Sequence, residues 1–292
     1  MERCVRIGTR KSRLAIIQTN IIIEKLRKLE PGLSFELVPI STTGDENLDK
    51  PLIQFGGKGV FVDAFEEALL SGRIDLAVHS AKDMTTQLPE GLGIIGVPER
   101  EDPRDVLVCT GREPALGKLA VIGTSSLRRQ LQIKQYYDAE CRSLRGNVPT
   151  RLEKLRAGEY DGILLAAAGL KRLGLMEEEG LCYRIFEAEE FIPAPGQGIL
   201  AVEGRQDDDL TGLVEGINDR AAQISLKTER RILELLNTGC QEAIGVYSHV
   251  DRENIIIHAI YQKGDKLYRV REQAPVCDYR QAAERTAQRL ME

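Results

Sequence analysis

The same short pattern occurs twice in this chain, and it constrains the fold more than any other feature of the sequence. Residues 7–12 and 122–129 each read as the end of an apolar strand, the pair Gly-Thr and a polar helix start. Segments 70–78 and 156–164 form a second matching pair, in which a helix pattern ends at glycine and an aspartate precedes an apolar strand. Alternating helices and strands are typical of α/β domains. The repeat predicts two similar α/β domains, the alternative being a chance likeness between α/β segments.

Changes in composition mark where these domains should end. Residues 99–105 are charged and contain one proline, and residues 191–198 are rich in proline and glycine. If the strand pattern at 199–203 returns to the first sheet, the middle domain is inserted and two strands form a hinge. From residue 218, a long amphipathic helix, three strand patterns and a terminal helix indicate a small α+β domain. We expect domain 1 at 1–99 and 199–217, domain 2 at 100–198 and domain 3 at 218–292.

A polar cluster directly follows the short apolar strand pattern at 74–78. It contains Lys82 and Asp83, which stand just beyond the expected end of that strand. Ligands of open α/β sheets bind outside the carboxyl ends of the strands. We therefore predict that Asp83 is a carboxylate at the mouth of a site, with Lys82 beside it. A solvated loop after a strand is the alternative.

Cationic and hydroxyl side chains collect where strands should meet helices. A helix N-terminus attracts anions through its free N–H groups and its dipole, and arginine donates two parallel hydrogen bonds to a carboxylate. These junctions predict a ligand that carries several carboxylates or phosphates. For the first junction, the alternative is that Ser12 only caps a helix while Arg10 faces water. The residues concerned are Arg10, Ser12, Thr124, Ser125, Ser126, Arg128, Arg129, Arg145, Gly146, Arg151 and Arg172.

Two further stretches leave their structure and role open. Residues 41–58 are mostly polar and lack clear periodicity, which is typical of a lid or a disordered segment. The sequence Gly-Gly-Lys-Gly at 56–59 lacks the Gly-Lys-Ser/Thr ending of a phosphate loop, so a nucleotide site is poorly supported. Cys240 follows a glycine in a short loop, where a thiol can be exposed, although a lone cysteine is more often a small buried side chain.

Charge and cysteine spacing exclude several classes of function. The net charge of −5 argues against broad nucleic-acid binding, which needs a basic surface. The six cysteines show no CxxC spacing, so we expect neither a metal site nor a disulfide framework. The sequence begins without an apolar signal segment and has no apolar run long enough to span a membrane. We expect a cytoplasmic monomer with reduced thiols.

Nine segments of the chain together resemble the porphobilinogen deaminases, also called hydroxymethylbilane synthases. They follow the order of that family and span residues 7 to 241. The segments are IGTRKS at 7–12, GGKG at 56–59, AVHSAKD at 77–83, EREDPRD at 99–105, GTSSLRR at 123–129, SLRGN at 143–147, AAGLKRLG at 167–174, PGQG at 195–198 and GCQ at 239–241.

The resemblance implies a fold and an activity. Members of this family have two α/β domains like those of periplasmic binding proteins and a small third domain. They are transferases that join four porphobilinogen molecules head to tail, release ammonia and free the linear tetrapyrrole hydroxymethylbilane. Their primer is a dipyrromethane cofactor joined to a cysteine by a thioether, which places the attachment at Cys240. A thiolate is a suitable nucleophile for this bond.

The resemblance also implies roles for individual residues. Asp83 matches the catalytic aspartate, which stabilises the cationic azafulvene left when ammonia departs and assists proton transfer. Arg172 matches a position for the incoming substrate, and Lys58 ends a mobile loop. The cofactor and the growing oligopyrrole chain carry acetate and propionate groups, which the remaining family positions bind. These are Arg10, Ser12, Lys82, Thr124, Ser125, Ser126, Arg128, Arg129, Arg145, Gly146 and Arg151, with Gln197 and Asp45 as weaker candidates. Lys82 is also expected to be catalytic, together with Asp83.

Two other classes of function compete with this prediction. A two-lobed protein that binds anions without catalysis would use the same hinge and arginines, but it would need neither Asp83 nor a cysteine that bears a thioether. A protein that binds RNA or DNA through the arginines is disfavoured by the net charge of −5 and by an aromatic content of 5%. We therefore expect porphobilinogen as the substrate, and neither nucleic acid nor membrane as a partner.

Overall fold

The structure is a computed structural model that describes residues 4–41, 63–111, 120–238 and 242–292. Its strands are β1 (Cys4–Thr9), β2 (Ser34–Pro39), β3 (Leu76–Ser80), β4 (Leu92–Gly96), β5 (Asp105–Thr110), β6 (Val121–Gly123), β7 (Glu140–Arg142), β8 (Gly162–Ala166), β9 (Leu181–Ile185), β10 (Leu200–Arg205), β11 (Ile244–Asp251), β12 (Asn254–Lys263) and β13 (Lys266–Pro275). Its α-helices are α1 (Arg13–Leu29), α2 (Asp63–Leu70), α3 (Leu127–Tyr136), α4 (Val148–Arg156), α5 (Ala167–Leu173), α6 (Leu210–Glu215), α7 (Arg220–Leu236) and α8 (Tyr279–Arg289).

The chain forms two compact units. The first contains Met1–Arg100 and Ile199–Lys227, and the second contains Glu101–Gly198 and Thr228–Glu292. The chain therefore passes between units after Arg100, after Gly198 and within α7. The division into three domains stays a prediction, because residues 228–292 fall in the same unit as residues 101–198.

The sheet of the first unit has the strand order β2-β1-β3-β10-β4. Strand β1 is parallel to β2 and β3, whereas β10 is antiparallel to β3 and β4. Apolar side chains of β3 point alternately to the two faces. Leu76 and Val78 pack with Ile22 of α1, and Ala77 packs with Phe65 of α2. This strand is buried on both faces, which explains its continuous apolar sequence.

The second unit contains a sheet with the same arrangement, in the order β7-β6-β8-β5-β9. Strand β6 is parallel to β7 and β8, and β5 is antiparallel to β8 and β9. The two strands that begin the repeated sequence pattern, β1 and β6, therefore occupy equivalent places. The prediction of two similar α/β domains is confirmed.

A smaller sheet completes the second unit. Strands β11, β12 and β13 form an antiparallel meander, and α8 packs against β12 and β13. The apolar side of the meander includes Ile255, Ile257 and Ala259, which alternate with partly exposed residues along β12. The predicted small α+β element at the C-terminal end is confirmed. No helix within the described ranges combines the length and the apolar character that crossing a bilayer requires.

Candidate active site

Asp83 lies in a short 3-10 turn, Ala81–Asp83, immediately after β3. Its side chain is exposed, whereas Ala81 is buried and Lys82 is partly exposed. The Ala81 amide donates a hydrogen bond of 3.0 Å to the carbonyl of Ile199, which anchors the start of the turn. The structure thus places a carboxylate in solvent at the carboxyl end of a buried strand, where α/β sheets bind ligands.

The end of β3 is also fixed through Ser80, which sequence reasoning did not select. The Gln18 amide Nε2, from α1, donates a hydrogen bond of 2.9 Å to Ser80 Oγ. Gln18 stands one residue before Thr19 on the buried side of α1. The signal in the sequence was a glutamine at a helix position that packs on a sheet, and this signal could have identified the role of Gln18.

Ser12 caps the N-terminus of α1. Its Oγ accepts a hydrogen bond of 3.3 Å from the Ala15 amide, and the first turn of α1 contains no acidic residue. Arg10 and Ser12 are both partly exposed. The cap leaves the hydroxyl proton of Ser12 free to donate, so capping and anion binding are compatible.

Ser126 repeats this arrangement at the N-terminus of α3. Its Oγ accepts a hydrogen bond of 3.4 Å from the Arg129 amide, and the first turn of α3 likewise contains no acidic residue. Thr124 is buried, and its hydroxyl accepts a hydrogen bond of 3.2 Å from the Ser126 amide. The junction at Ser126 on the second sheet is therefore equivalent to the junction at Ser12 on the first sheet.

Ser125 joins this junction to the next one. Its Oγ lies 2.9 Å from Ser143 Oγ and accepts a hydrogen bond of 3.0 Å from the Leu144 amide. The structure therefore brings residues 124–126 and 143–147 together, as parts of one surface at the carboxyl ends of β6 and β7. The sequence predicted each of these two segments as a binding junction, but it did not predict that they are in contact.

Arg145, Gly146 and Arg151 surround the N-terminus of α4, where Asn147 is the cap. Gly146 has a φ of +113°, a conformation that favours glycine, and a Cβ there would lie 3.0 Å from Thr150. The Nε atom of Arg151 donates a hydrogen bond of 2.7 Å to the Gly146 carbonyl. Both arginines are partly exposed, so this end of the second sheet presents cations and helix N–H groups to solvent.

Arg128 and Arg129 are placed differently, because their side chains are only 4% and 8% exposed. Arg128 Nη1 donates hydrogen bonds to Asp105 Oδ2 at 2.6 Å and to the Ile192 carbonyl at 2.8 Å. Arg129 donates through Nε and Nη2 to Asp105 Oδ1, at 2.9 Å and 2.7 Å, and through Nη1 to the Leu164 carbonyl. Direct binding of ligand carboxylates by this pair stays a prediction.

Asp105 is the acceptor at the centre of this cluster, and sequence reasoning missed its role. Burial alone would raise the pKa of its carboxyl group, but the charges and hydrogen bonds of Arg128 and Arg129 outweigh burial and hold that pKa well below the usual range. Burial lowers the pKa of the Arg128 guanidinium. Two arginines against one aspartate leave a formal charge of about +1 under the junction surface.

Gln197 lies in the segment that leads out of the second unit, and Arg172 binds the last residue of that segment, Gly198. Gln197 is 1% exposed and donates from Nε2 to the Pro103 carbonyl at 2.6 Å and to Asp105 Oδ1 at 3.2 Å. Arg172 Nη2 donates to the Gly198 carbonyl at 2.7 Å, and burial lowers the pKa of this arginine to about 10. Both therefore hold backbone in place, and contact with a ligand stays a prediction for each.

Glu229 is a second buried acid that was not predicted to matter. It is fully buried in α7 and accepts hydrogen bonds from the Gly196 amide at 2.6 Å and from the Ser248 amide at 2.8 Å. It thereby connects α7 to the Pro-Gly-Gln-Gly segment and to β11. The signal was present in the sequence, since Glu229 stands at helical spacing from Leu226 and Leu233 on the apolar face of α7.

Three predicted site residues lie outside the described residues. They are Asp45, Lys58 and the proposed attachment residue Cys240. Among the described residues, no group of three or more His, Cys, Asp or Glu side chains is placed to hold a metal ion.

Comparison with known proteins identifies the family of this chain. The family model described as "Porphobilinogen deaminase, dipyromethane cofactor binding domain" matches residues 5–212. The porphobilinogen deaminase of Roseiflexus sp. (strain RS-1) is 44% identical over 264 residues, which cover 89% of this chain and 86% of that protein. The porphobilinogen deaminase of Acetivibrio thermocellus is 41% identical over 268 residues, which cover 91% of this chain and 90% of that protein.

Among solved structures, the periplasmic VFT2 domain of Bordetella pertussis BvgS matches with a TM-score of 0.46 and 13% sequence identity, over 78% of this chain and 92% of that one. The sequence matches are far closer and extend over most of each chain. The chain therefore belongs to the porphobilinogen deaminase family and carries its dipyrromethane cofactor binding domain.

Proposed function

We propose that this chain joins four porphobilinogen molecules head to tail on a covalently bound dipyrromethane primer, releasing ammonia and yielding hydroxymethylbilane. The observation that carries the proposal is the exposed carboxylate of Asp83 at the carboxyl end of buried strand β3, in a chain that belongs to this enzyme family. A protein that only binds anions has no use for a carboxylate in that place, because it would repel them.

The donor set of the second unit fits a ligand rich in carboxylates. Porphobilinogen carries an acetate and a propionate, so each porphobilinogen that is added brings two negative charges. Two helix N-termini with uncharged caps, Ser126 and Asn147, lie beside the partly exposed cations Arg145 and Arg151. Helix N–H groups and arginine forks are suited to carboxylates. We assign the dipyrromethane carboxylates to this surface, with Thr124, Ser125 and Gly146 shaping its backbone.

The buried arginines support this surface from below. Arg128 and Arg129 exceed Asp105 in formal charge, so the cluster carries about one positive charge beneath the helix N-termini. In a poorly screened interior that charge attracts carboxylates without touching them. We therefore propose that Arg128 and Arg129 act mainly through the field and the fixed backbone, while Arg145 and Arg151 make direct contacts.

In the first unit, we assign the reacting end of porphobilinogen to Asp83. The C–N bond of the protonated aminomethyl group breaks with its electron pair leaving on ammonia, so the positive charge moves to the substrate pyrrole. The carboxylate of Asp83 stabilises that charge and can take up a proton when the next bond forms. Lys82 stands beside it, and Arg10 and Ser12 at the start of α1 offer donors for a substrate carboxylate. Lys58 is a further candidate for that contact, and Arg172 stays a predicted position for the incoming substrate.

When bound, the dipyrromethane would supply the pyrrole carbon to which the first porphobilinogen is joined. We propose that Cys240 holds it through a thioether, because the Gly-Cys-Gln sequence at 239–241 matches the family and follows shortly after the end of α7. Glu229 fixes α7, the helix that ends shortly before Cys240 in the sequence, to the Pro-Gly-Gln-Gly segment.

We also propose a three-domain organisation in which the small sheet and α8 form the third domain. Strands β5 and β10 each follow a passage between units, after Arg100 and after Gly198, and each is the antiparallel strand of its sheet. This supports a hinge made of two strands. We further propose that the protein is a cytoplasmic monomer, and light scattering on the purified chain would test its monomeric state.

Replacing Asp83 by asparagine tests the proposed activity. The substitution removes the charge of an exposed residue and little volume, so folding and covalent loading should be unchanged. Formation of hydroxymethylbilane and release of ammonia should fall by about 10²–10⁴-fold. Asp207→Asn, at another exposed aspartate of the first unit, is the matched control and should behave like the wild type. Near-normal turnover by Asp83→Asn would remove this residue from its proposed role.

A further inference from the structure

Glu203 of β10 is a fully buried carboxylate without a hydrogen-bond donor among the described residues. In the antiparallel pairing of β10 with β3, Ala201 is opposite His79 and Glu203 is opposite Ala77, so Glu203 and His79 are diagonal neighbours on one face. His79 Nε2 lies 2.9 Å from Glu203 Oε2, an ion-pair distance that lacks the alignment of a hydrogen bond. Burying a carboxylate in this way is unfavourable unless a nearby charge or proton compensates.

Helix α2 covers this pair. The Phe65 ring packs edge-on against the His79 imidazole, with 5.0 Å between ring centres. Burial of the Glu66 carboxyl, together with the charges of Glu203 and Asp63, raises the pKa of Glu66 to about 7. The pair therefore lies in an apolar and acidic setting.

Charges on the other elements of this face are engaged elsewhere. Arg6 of β1 and Arg205 of β10 both interact with Asp75, at the start of β3. Asp75 is four residues from His79, which is about 13 Å along a strand. Strand β4, on the far side of β10, contains no titratable residue. Within the described ranges, the pair thus has acidic neighbours from α2. Arg205 is two residues from Glu203 on the same face of β10, but its guanidinium binds Asp75 and Asp208.

His79 begins the short stretch that leads to Asp83. One face of the strand end is fixed by the Gln18–Ser80 hydrogen bond, and the other carries the contact between His79 and Glu203. Beyond Ser80, the Ala81 amide is bound to the Ile199 carbonyl. The direction in which the turn leaves the sheet therefore depends on contacts on both faces of β3.

We propose that His79 and Glu203 are positioning residues that hold the Ala81–Asp83 turn in the geometry needed for turnover. This inference rests on the proposed function, because it assigns a task to the contact behind Asp83. The pair does not touch substrate. It acts by fixing the strand end from the α2 side, and a displacement of about 1 Å at a reacting group can reduce a rate by about 10²-fold.

The test is a steady-state comparison of fully loaded enzymes, well below the melting temperature of each variant. Glu203→Gln keeps the side-chain shape and removes the charge, and His79→Gln removes the partner. Each should lower kcat by about tenfold with KM unchanged, because the substrate carboxylates bind elsewhere. The double variant should lose no more than either single variant, since both remove one contact.

Asp75→Asn is the matched control, because it also removes a buried carboxylate from the first unit, at the residue that directly precedes β3. It breaks the hydrogen bonds of 2.8 Å and 3.1 Å that Arg6 donates to Asp75, at the end of the strand away from Asp83. This variant should lose stability but keep kcat within about twofold. Equal kcat for Glu203→Gln, His79→Gln and Asp75→Asn would reduce the pair to a structural role and overturn the inference.

Measuring Asp83→Asn in the same assay distinguishes a failure of the positioning role from a failure of the proposed function. If Asp83→Asn is inactive and the Glu203 and His79 variants match the wild type, the positioning role fails while the proposed function stands. If Asp83→Asn is active, the role of Asp83 fails, and with it the reason for positioning this turn. Should Glu203→Gln fail to fold, His79→Gln provides the same test from the other side of the pair.

Discussion

The two five-stranded sheets share one strand order, and each buries a carboxylate on its antiparallel strand. In the second unit this is Asp105 of β5, which accepts hydrogen bonds from Arg128, Arg129 and Gln197. In the first unit it is Glu203 of β10, which has His79 beside it and no hydrogen-bond donor among the described residues. The same architecture therefore contains one carboxylate with many donors and one whose compensation depends on a single imidazole.

The difference indicates a division of labour between the sheets. A buried charge with several donors has one favourable arrangement, which suits a rigid platform for binding. A buried charge with incomplete compensation is unfavourable for stability, and such groups are more often retained near functional sites than elsewhere. Glu203 stands behind the turn that carries Asp83, whereas Asp105 stands beneath the helix N-termini assigned to ligand carboxylates. We infer that the second sheet is built for binding and the first for chemistry.

The largest expected effect comes from breaking the Asp105 cluster. Asp105→Asn leaves two buried guanidinium groups without their counter-charge, so the free energy of unfolding of the second unit should fall by about 3–5 kcal/mol. Glu203→Gln removes an incompletely compensated charge and no hydrogen bond, so it should change the stability of the first unit by no more than about 1 kcal/mol. Hydrogen exchange in urea, resolved by peptide, would measure both units separately. Equal losses in the two variants would contradict the comparison.

The stability of the second unit should also depend on Asp105 at acid pH. The folded-state pKa of Asp105 lies below its unfolded value, so its stabilising contribution is complete above about pH 4 and is lost as the pH falls further. The free energy of unfolding of the wild-type second unit should therefore fall as the pH drops below about 4, whereas Asp105→Asn should lack this component. Circular dichroism during acid titration, with peptide-resolved exchange, would check it. An identical acid transition in wild type and variant would contradict it.

A smaller effect is expected at the equivalent helix caps of the two sheets. Ser12 and Ser126 each accept a hydrogen bond from the amide three residues later. Ser12→Ala and Ser126→Ala should each lower the free energy of unfolding by about 1 kcal/mol, and Ser→Gly at either position should lower it less. Urea unfolding would measure these changes. A stability loss at one cap only would show that the two junctions are not equivalent.

The smallest expected effect is the pH dependence contributed by Glu66. Its folded-state pKa is raised to about 7, above the ordinary value of a glutamate. Its contribution to stability is therefore complete below the unfolded pKa and is lost as the pH rises through 7. Glu66→Gln should flatten the change in melting temperature between pH 5 and 8, whereas Glu67→Gln, at the exposed neighbouring position, should not. A wild-type slope in Glu66→Gln would remove Glu66 from the acidic cluster.

Local patterns in the sequence were sufficient to predict the architecture. The apolar run at 74–78 indicated a buried strand, and the repeated Gly-Thr junctions indicated two equivalent sheets. Ser12 was correctly identified as a helix cap, because serine before an apolar periodic segment is a local signal. Each of these inferences needed only neighbouring residues and the periodicity of helices and strands.

The electrostatics of the site could not be predicted in the same way. Arg128 and Arg129 were predicted to bind ligand carboxylates, but their contact with Asp105 was not predicted. That contact depends on the antiparallel pairing of β5 with β8, which nothing local in the sequence specifies. Glu203 and His79 meet through the pairing of β10 with β3, after the chain has passed through the second unit. Contacts of this kind depend on sheet order, and they decide which charges face solvent.

The central claim is that this chain builds an oligopyrrole on a primer held by Cys240, and the intact mass of the purified protein tests it most directly. The account predicts an excess mass equal to a dipyrromethane, located by peptide mapping on the segment that contains Cys240, and further stepwise gains on incubation with porphobilinogen. Cys240→Ser should carry no such group. An unmodified wild-type chain that gains no mass with porphobilinogen would contradict the account and favour a protein that only binds anions.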